Sequence, residues 1–540
     1  RLELYEKECG WKCPSGWFAG LRAANDGQDK LLDAMLDAAA ATQAQLDDEL
    51  GIYARLVRPF QKIRAMSLHG NDATAAADAI KSALQRSPDV QAAFAAGLLG
   101  ERPHDPSACP YAFSGPDPPE GSHYGKLVAD GGNLYDDNVE AYAKMVEYAG
   151  GPRSAVVGVL CLAVCSNLPA NAAEFSDHQN WMNKFEKSVA SFQRCGVARE
   201  RVLCIPFTMD NIVEAQDSEV VCDTIRRCSL IWMPGGEHYR TMMCLFHLDA
   251  ITGKQLKPSK VFTTLHEQFR KGLAIGSTSS GTFTVTHGPL LTGGSDVYRC
   301  IKDGGTPDAR GLKAYLTYDP NGGLSFCQRS DGGIGWNSAL FDAHGPEKAR
   351  ILRLCRLVCD TRNDSTIPAD QRTSFAVAIG ENTQVCLDKS TGWADIQGES
   401  SVQFADLTSC EESNTGAWGV RDILFHQLTR GDKFNFNTGQ VEVAAWKQAQ
   451  QPSASDQPLF VSSNVCAEPH AIGRSAESLM RNAAELSVTS TSQQLDPQYK
   501  VSFTKCDASA LYTGTEPDPS AQFQGVWSTV VSVKLSIVGA

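Results

Sequence analysis

The sequence of 540 residues lacks any apolar run approaching the roughly 20 residues that a helix needs to cross a bilayer, so no membrane span is predicted. Basic residues are also scarce. The 49 Lys and Arg stand against 62 Asp and Glu, which gives a net charge of −13. Because proteins bind phosphate backbones and anionic membranes through basic faces, neither a nucleic acid nor such a membrane is expected as a partner.

No Cys-x-x-Cys pair occurs, although the chain has 18 cysteines. The common spacings of zinc ribbons and thioredoxin motifs are therefore absent, and no metal and no cofactor are predicted. An even number of cysteines behind an initial Arg1 favours a secreted or extracellular chain whose signal peptide has been removed. A glycosylation sequon at Asn363 fits this interpretation. The alternative is a fragment of a cytosolic protein with free thiols.

The cysteines differ in their sequence surroundings. Some lie in or beside apolar runs and are predicted to be small buried hydrophobes: Cys204, Cys228 and Cys386. The best candidates for disulfide bridges lie in loop-like segments: Cys109, Cys300, Cys327, Cys410, Cys466 and Cys506. Their connectivity stays open. Three pairs are four residues apart, which on a helix places both side chains on one face: Cys9/Cys13, Cys161/Cys165 and Cys355/Cys359.

The length allows about three or four domains at roughly 150 residues each. Residues 1–100 carry helical periodicity and are predicted to form a helical N-terminal region, followed by a Pro/Gly-rich linker over 101–124. Residues 446–540 are predicted to be a β-rich extension, because 531–537 alternate between apolar and polar side chains.

Between these segments, residues 125–445 alternate short apolar runs with helical stretches. This pattern predicts an α/β domain with a mostly parallel sheet flanked by helices. Ligands of such sheets bind at the carboxyl ends of the strands. The predicted strands are 155–161, 202–206, 229–233 and 273–275, and the predicted helices between them are 175–195 and 214–227.

A candidate nucleophile follows the strand at 273–275. Ser279 lies between the small residues Ser277 and Gly281, and a probable helix follows. This is the pattern of a nucleophile elbow, in which a sharp turn exposes a hydroxyl beside free backbone N–H groups. Clusters of Ser, Thr and Gly are more often ordinary loops, so the pattern alone is weak.

Three further strand ends carry polar or glycine residues suited to catalysis. Gly235-Gly236 could bring backbone N–H groups close to a reacting centre, or could form an ordinary turn. His344 leaves a strand close to Asp342 and could act as a general base, or could be structural. Glu381 follows an apolar strand and is suited to orient an imidazole.

In this order, the four segments resemble the cyanophycinase and aspartyl dipeptidase (dipeptidase E-like) family of serine peptidases. Residues 127–134 look like that family's opening glycine strand, and 419–435 look like its closing strand and Gly-Asp turn. The resemblance covers about residues 125–445. It implies a class I glutamine amidotransferase-like α/β fold and a Ser-His-Glu triad.

The resemblance assigns roles position by position. It implies Ser279 as nucleophile, His344 as base and Glu381 as acid, with Asp296 as the alternative acid. The oxyanion would be bound around Gly235, Gly236 and Ser280. The substrate-binding positions would be His238, Asp342, Lys348, Arg350 and Arg353.

Departures from the family pattern fall mainly in the substrate pocket. Lys348 stands where the family has its first pocket arginine, and Ala343 where it has glutamine. Lysine does not replace a bidentate arginine well. The sequence therefore predicts a serine peptidase that hydrolyses peptide or β-aspartyl amide bonds in an acidic substrate, with cyanophycin itself less favoured.

Three other interpretations remain. The first is a catalytically inactive domain that serves as a structural or assembly module, in a homodimer or a larger assembly. The second is a glutaminase-like enzyme, which is disfavoured because no cysteine occupies the elbow. The third is dinucleotide binding at the glycines of 332–335, which lack the full glycine spacing and follow no clear strand and are therefore interpreted as a turn.

Overall fold

A computed structural model describes residues 125–163, 175–205, 207, 212–236, 241, 244–248, 255–283, 290–291, 296–304, 316–317, 339–363, 372–413, 416–453 and 458–539. The predicted N-terminal helical region, the linker and the glycine stretch at 332–335 lie outside these residues. Within the described ranges, no helix is both long enough and apolar enough to cross a membrane.

The strands are, in chain order, β1 (Lys126–Asp130), β2 (Val157–Val159), β3 (Val202–Cys204), β4 (Leu230–Met233), β5 (Phe246–Leu248), β6 (Gln255–Pro258), β7 (Ala274–Thr278), β8 (Leu290–Leu291), β9 (Leu316–Thr317), β10 (Leu340–Asp342), β11 (Phe375–Ile379), β12 (Thr383–Asp388), β13 (Trp393–Gly398), β14 (Ser401–Asp406), β15 (Glu411–Ser413), β16 (Gly419–Thr429), β17 (Lys433–Asn435), β18 (Val441–Glu442), β19 (Gln448–Ala449), β20 (Ser487–Thr491), β21 (Tyr499–Thr504), β22 (Ala510–Thr515) and β23 (Val526–Gly539). The strands predicted at 155–161, 202–206, 229–233 and 273–275 are confirmed as β2, β3, β4 and β7.

The helices are α1 (Val139–Tyr148), α2 (Phe175–Arg194), α3 (Ile212–Ala215), α4 (Glu219–Arg226), α5 (Lys260–Arg270), α6 (Ser280–Phe283), α7 (Val297–Asp303), α8 (Arg350–Asn363) and α9 (Ala471–Arg481). The local sequence explains where several of these helices begin. Asn138, Ser259 and Asp296 precede α1, α5 and α7, and each side chain accepts a hydrogen bond from a backbone N–H of the first turn. Such caps satisfy donors that have no partner inside the helix.

The first sheet has nine strands in the order β18-β17-β13-β12-β1-β7-β4-β2-β3. The neighbouring strands β1, β7, β4, β2 and β3 pair in parallel. On the other side of β1, the strands β12, β13, β17 and β18 follow, and each pair there, including β1 with β12, is antiparallel. The prediction of a mostly parallel sheet is therefore wrong, because the sheet is mixed. The short turn over residues 389–392 joins β12 to β13, and only antiparallel neighbours can be joined so tightly.

A second sheet runs in the order β10-β11-β14-β16-β23-β21-β20, and only its first pair is parallel. The alternating residues 531–537 lie in β23, as the period-two pattern predicts. This strand pairs along β16, from Gly419 opposite Val538 to Gln427 opposite Val530. Strands from both sides of the expected boundary at 445 therefore share one sheet, and that boundary stays a prediction.

Both faces of the first sheet are buried, by different elements. On β1, Leu127 and Ala129 face one apolar cluster and Val128 faces another. Helices α1 and α2 cover the Val128 side, while α4, α5 and the second sheet contribute to the opposite cluster. There, Phe404 of β14 stacks on Phe434 of β17 with 4.1 Å between ring centroids. Coverage on both faces explains why these strands read as continuous apolar runs.

The cysteines in the described part of the chain carry free thiols. This differs from the expectation of bridges at Cys300, Cys410, Cys466 and Cys506, whereas Cys109 and Cys327 lie outside the described residues. Cys300 and Cys466 are buried among apolar side chains, where a thiol packs as a small hydrophobe. Cys204, Cys228 and Cys386 are buried in the same manner, as predicted.

The sequon residue Asn363 ends α8 and is exposed. Its side-chain amide donates to Glu412 Oε2 at 2.5 Å. Asp364 and Ser365, which complete the sequon, lie outside the described residues. Glycosylation at this position stays a prediction.

Candidate active site

The four segments predicted to carry catalytic residues follow β4, β7, β10 and β11, and the end of β1 lies beside them. Strands β1, β4 and β7 are neighbours in the first sheet, and β10 and β11 are neighbours in the second. Parallel pairing aligns Asp130 with Thr278, and Asp342 with Ala378. Because parallel strands end at one edge of a sheet, the residues that follow them come together.

Ser279 occupies the turn between β7 and α6. Its φ of 50° lies in the left-handed region, which few non-glycine residues adopt. Gly281 lets α6 pass close to β4, since a Cβ there would lie 2.6 Å from the carbonyl oxygen of Met233. The Ser279 N–H donates to the carbonyl oxygen of Asp130 at 3.2 Å, which fixes the turn to β1. This is the strand–turn–helix geometry of a nucleophile elbow.

His344 lies between Ser279 and Glu381. Its Nε2 is 3.1 Å from Ser279 Oγ, and its Nδ1 is 2.7 Å from Glu381 Oε1. Glu381 can only accept at Nδ1 when ionised, so the Nδ1 proton belongs to the imidazole and Nε2 presents a lone pair to the hydroxyl. This arrangement can remove the proton from Ser279.

The surroundings set the charge of both partners. Burial lowers the pKa of His344 below its ordinary value, the hydrogen bond with Glu381 opposes that effect, and the charges of Arg350 and Lys348 add to it. Partial burial opposes ionisation of Glu381, but hydrogen bonds from Asn133 and His344 outweigh it and lower the pKa of Glu381. At neutral pH, a neutral imidazole therefore faces an ionised carboxylate.

The turn after β1 holds these residues in place. The carbonyl oxygen of Gly131 accepts from the His344 N–H at 2.6 Å, and that of Gly132 accepts from the Asn382 N–H at 2.7 Å. No side chain fits at either glycine. A Cβ at Gly131 would lie 2.0 Å from the carbonyl oxygen of Gly380, and one at Gly132 would lie 2.4 Å from His344 Cε1.

The Gly235-Gly236 pair follows β4 and lies against the elbow. A Cβ at Gly235 would be 2.8 Å from Ser279 Cβ and 3.4 Å from Ser279 Oγ, so the backbone of Gly235 lies close to the hydroxyl. Lys184 of α2 donates to the carbonyl oxygen of Gly235 at 2.5 Å. Because the C=O and the following N–H point in opposite directions in a trans peptide, this contact turns the Gly236 N–H away from Lys184. Ser280 opens α6, where first-turn N–H groups lack intrahelical acceptors.

The basic residues after His344 divide into a buried pair and an exposed cation. Asp342 is fully buried and receives Arg350 Nη1 at 3.0 Å and Arg353 Nε at 2.6 Å. These three side chains bond one another beneath His344 rather than opening to solvent. Lys348 is exposed, and its N–H donates to the carbonyl oxygen of His344 at 3.1 Å. His238 lies outside the described residues.

The alternative acid, Asp296, is placed differently. It is exposed and caps α7, where its Oδ1 accepts from the Arg299 N–H at 3.0 Å. The imidazole of His344 instead bonds Glu381. The geometry therefore favours Glu381 as the partner of His344. Within the described residues, no group of three or more His, Cys, Asp or Glu side chains is arranged to hold a metal ion.

Three residues of the site were not predicted from the sequence. Asp130 is fully buried and accepts from Thr278 Oγ1, the Gly132 N–H and Gln384 Nε2. Asn133 bonds Glu381, and Lys184 holds Gly235. The Asp-Gly-Gly-Asn run at the end of β1 could have indicated the first two. A lysine on a helix distant in sequence carries no local signal.

Comparison with known proteins gives weak likenesses. No family model matches the chain. Among solved structures it is similar to a peptidase from an acI-B1 Actinobacterium, with 14% identity and a TM-score of 0.35, over 59% of this chain and 99% of that one. It is also similar to a putative peptidase E protein from Listeria monocytogenes EGD-e, with 11% identity and a TM-score of 0.29, over 51% and 99%.

Asp130 makes the stability of the fold depend on pH. Burial outweighs its three hydrogen bonds and raises its pKa from the ordinary 3.8 to about 7. The folded protein therefore binds this proton more tightly than the unfolded chain, and the contribution of Asp130 to stability is lost as the pH rises toward 7. Asp130→Asn keeps the shape without the titration. We expect the free energy of unfolding of the wild type, relative to the variant, to fall by about 1.4 kcal/mol per pH unit from pH 5 until the pH nears 7, and to level off above that.

Denaturant unfolding of both proteins from pH 5 to pH 8 measures this difference. Other titrating groups are common to both chains and cancel in the subtraction. A difference that stays constant over this range would show that Asp130 does not hold its proton in the folded protein.

Proposed function

We propose that this protein is a serine-type hydrolase that cleaves peptide or β-aspartyl amide bonds through Ser279, His344 and Glu381. The observation that carries the proposal is the continuous series of contacts from Ser279 Oγ through His344 to Glu381, built on a strained strand-to-helix turn. A serine hydroxyl is a weak nucleophile by itself and needs such a base and a group that orients it.

The proposed reaction is acyl transfer. His344 Nε2 takes the proton of Ser279, whose oxygen attacks the amide carbonyl carbon. The backbone N–H groups of Gly236 and Ser280 stabilise the resulting oxyanion. His344 then gives its proton to the leaving amine, and water hydrolyses the acyl-enzyme by the same route. Glu381 holds the tautomer of His344 and stabilises its cation.

The charges around His344 support an acidic substrate. Lys348 is an exposed cation next to the imidazole, and the cluster below joins two guanidinium groups to one carboxylate, which leaves it positive. A local positive potential favours a carboxylate near the reacting bond, although the chain as a whole is acidic. Arg350 and Arg353 contribute to this potential from inside the protein, Asp342 offsets one of their charges, and the proposal assigns contact with the substrate to Lys348.

A fluorophosphonate probe tests the nucleophile without knowledge of the substrate. Because the probe reacts with an activated serine, we expect phosphonylation of the wild type at Ser279 and none in Ser279→Ala. The matched control is Ser280→Ala. The Ser280 hydroxyl is buried and has no hydrogen-bond partner among the described residues, and its removal leaves the backbone N–H in place. Intact mass and peptide mapping measure the labelling.

Two outcomes would contradict the proposal. The first is equal labelling of the wild type and Ser279→Ala. The second is a folded wild type that takes up no probe, which would favour the alternative of an inactive structural or assembly module.

The pH dependence of this labelling tests the base. Phosphonylation requires neutral His344, so its rate falls as the pH drops through the pKa of that imidazole, which lies below 6.5. Lys348→Met removes one of the charges that lower this pKa. We expect the acidic limb of the rate profile to move to higher pH by a few tenths of a unit, and by less at high salt.

Lys500→Met is the control for this experiment, since Lys500 is exposed on β21 and has no part in the site. Its profile should match that of the wild type. Identical profiles for Lys348→Met and the wild type at low salt would mean that Lys348 does not act on His344.

A further inference from the structure

A group of thiols lies on one face of α8, away from the triad. Cys355, Cys359 and Arg362 follow one another at spacings of four and three residues, so their side chains share that face. Cys410, in the turn before β15, packs against the apolar cluster that contains Cys355 and Cys359. Arg362 joins the helix to this turn through Cys410, which is 51 positions after Cys359 in sequence.

The thiol of Cys359 lies close enough to Cys410 to act as its hydrogen-bond donor. A hydrogen bond joins the two side chains, and Arg362 Nη2 donates to Cys410 Sγ at 3.4 Å. Arg362 is itself held in place, because its Nη1 donates to the carbonyl oxygen of Leu407 at 2.8 Å. Two donors therefore converge on one sulfur.

These contacts favour the thiolate at Cys410 and the thiol at Cys359. The hydrogen bond from Cys359 and the guanidinium of Arg362 lower the pKa of Cys410, against the effects of burial and of Glu412. The same hydrogen bond, together with burial, raises the pKa of Cys359. Since the thiolate is the reactive form, Cys410 is the nucleophile of the pair.

The two sulfurs also differ in their exposure to solvent. Cys410 is partly exposed, whereas Cys359 and Cys355 have no exposed surface. A small oxidant can reach Cys410 from solvent, and the thiol that bonds Cys410 is that of Cys359. This is the arrangement of a reactive cysteine beside a resolving cysteine.

We propose that Cys359 and Cys410 form a reversible disulfide, in which Cys410 reacts first with a peroxide and Cys359 resolves the product. In the first step the Cys410 thiolate attacks a peroxide oxygen, an S–O bond forms, and the O–O bond breaks to release hydroxide. In the second step the Cys359 sulfur attacks the sulfenic sulfur, an S–S bond forms, and the hydroxyl leaves as water with a proton. Two thiols lose two electrons, and hydrogen peroxide becomes two water molecules.

The experiment uses the full chain and needs no substrate. Reduced protein is treated with an equimolar amount of hydrogen peroxide, the remaining thiols are alkylated, and the digest is mapped by mass spectrometry. We expect a linked peptide pair containing Cys359 and Cys410 that disappears on reduction. Cys506, which is also a partly exposed free thiol, should remain mostly alkylated and serves as the internal control.

Variants test the order of events. In Cys359→Ser, Cys410 should be trapped as a sulfenic acid that reacts with dimedone, whereas Cys355→Ser should leave the linked pair unchanged. Arg362→Met should slow oxidation of Cys410 several-fold, because the thiolate loses its cation. If a variant at one of the buried cysteines does not fold, peptide mapping of the oxidised wild type still tests the proposal.

Several results would overturn the proposal. They are alkylated Cys410 after peroxide treatment, oxidation of Cys410 to sulfinic acid with Cys359 still alkylated, or a link from Cys410 to Cys355. These outcomes are independent of the proposed hydrolysis, since labelling of Ser279 is measured separately.

Discussion

The arrangement of the site depends on the tight turn after β1, where Gly131 and Gly132 pass between the two sheets. The turn follows a strand of the first sheet, and its carbonyl groups accept from His344 and Asn382, which follow strands of the second. Any side chain at either glycine would collide with the backbone or with the imidazole. The distance between Ser279, on the first sheet, and His344, on the second, is therefore set by backbone contacts that only glycine permits.

Electrostatics then acts on a geometry that packing has fixed. Asp130, Asp342 and their partners lie within the protein, where several hydrogen bonds to each carboxyl group oppose the cost of burial. Asp130 holds the turn and the residue before the nucleophile, and Asp342 anchors the first turn of α8 directly after His344 and Lys348. Burial and nearby cations keep His344 neutral, which is the state that a general base requires.

The sequence predicts the parts of this site that depend on local pattern. Ser279, Gly235 and Glu381 follow apolar strands, and the carboxyl end of a strand can be located from the run that precedes it. The antiparallel half of the first sheet could not be predicted, because strand partners are decided by contacts between distant segments. The contact of Lys184 with Gly235 could not be predicted for the same reason. The burial of Arg350 and Arg353 could not be predicted, because sequence does not show that Asp342 lies close enough to bond both of them.

The central claim is that the glycine turn sets the imidazole against the nucleophile, and Gly132→Ala tests it most directly. The added methyl would lie 2.4 Å from His344 Cε1. The matched control is Gly151→Ala, because Gly151 also has a positive φ, 95° against 104°, but no atom of the described residues would lie within 4 Å of the new methyl. The account predicts that folded Gly132→Ala loses phosphonylation of Ser279 while Gly151→Ala retains it. Equal rates in the two variants would contradict it.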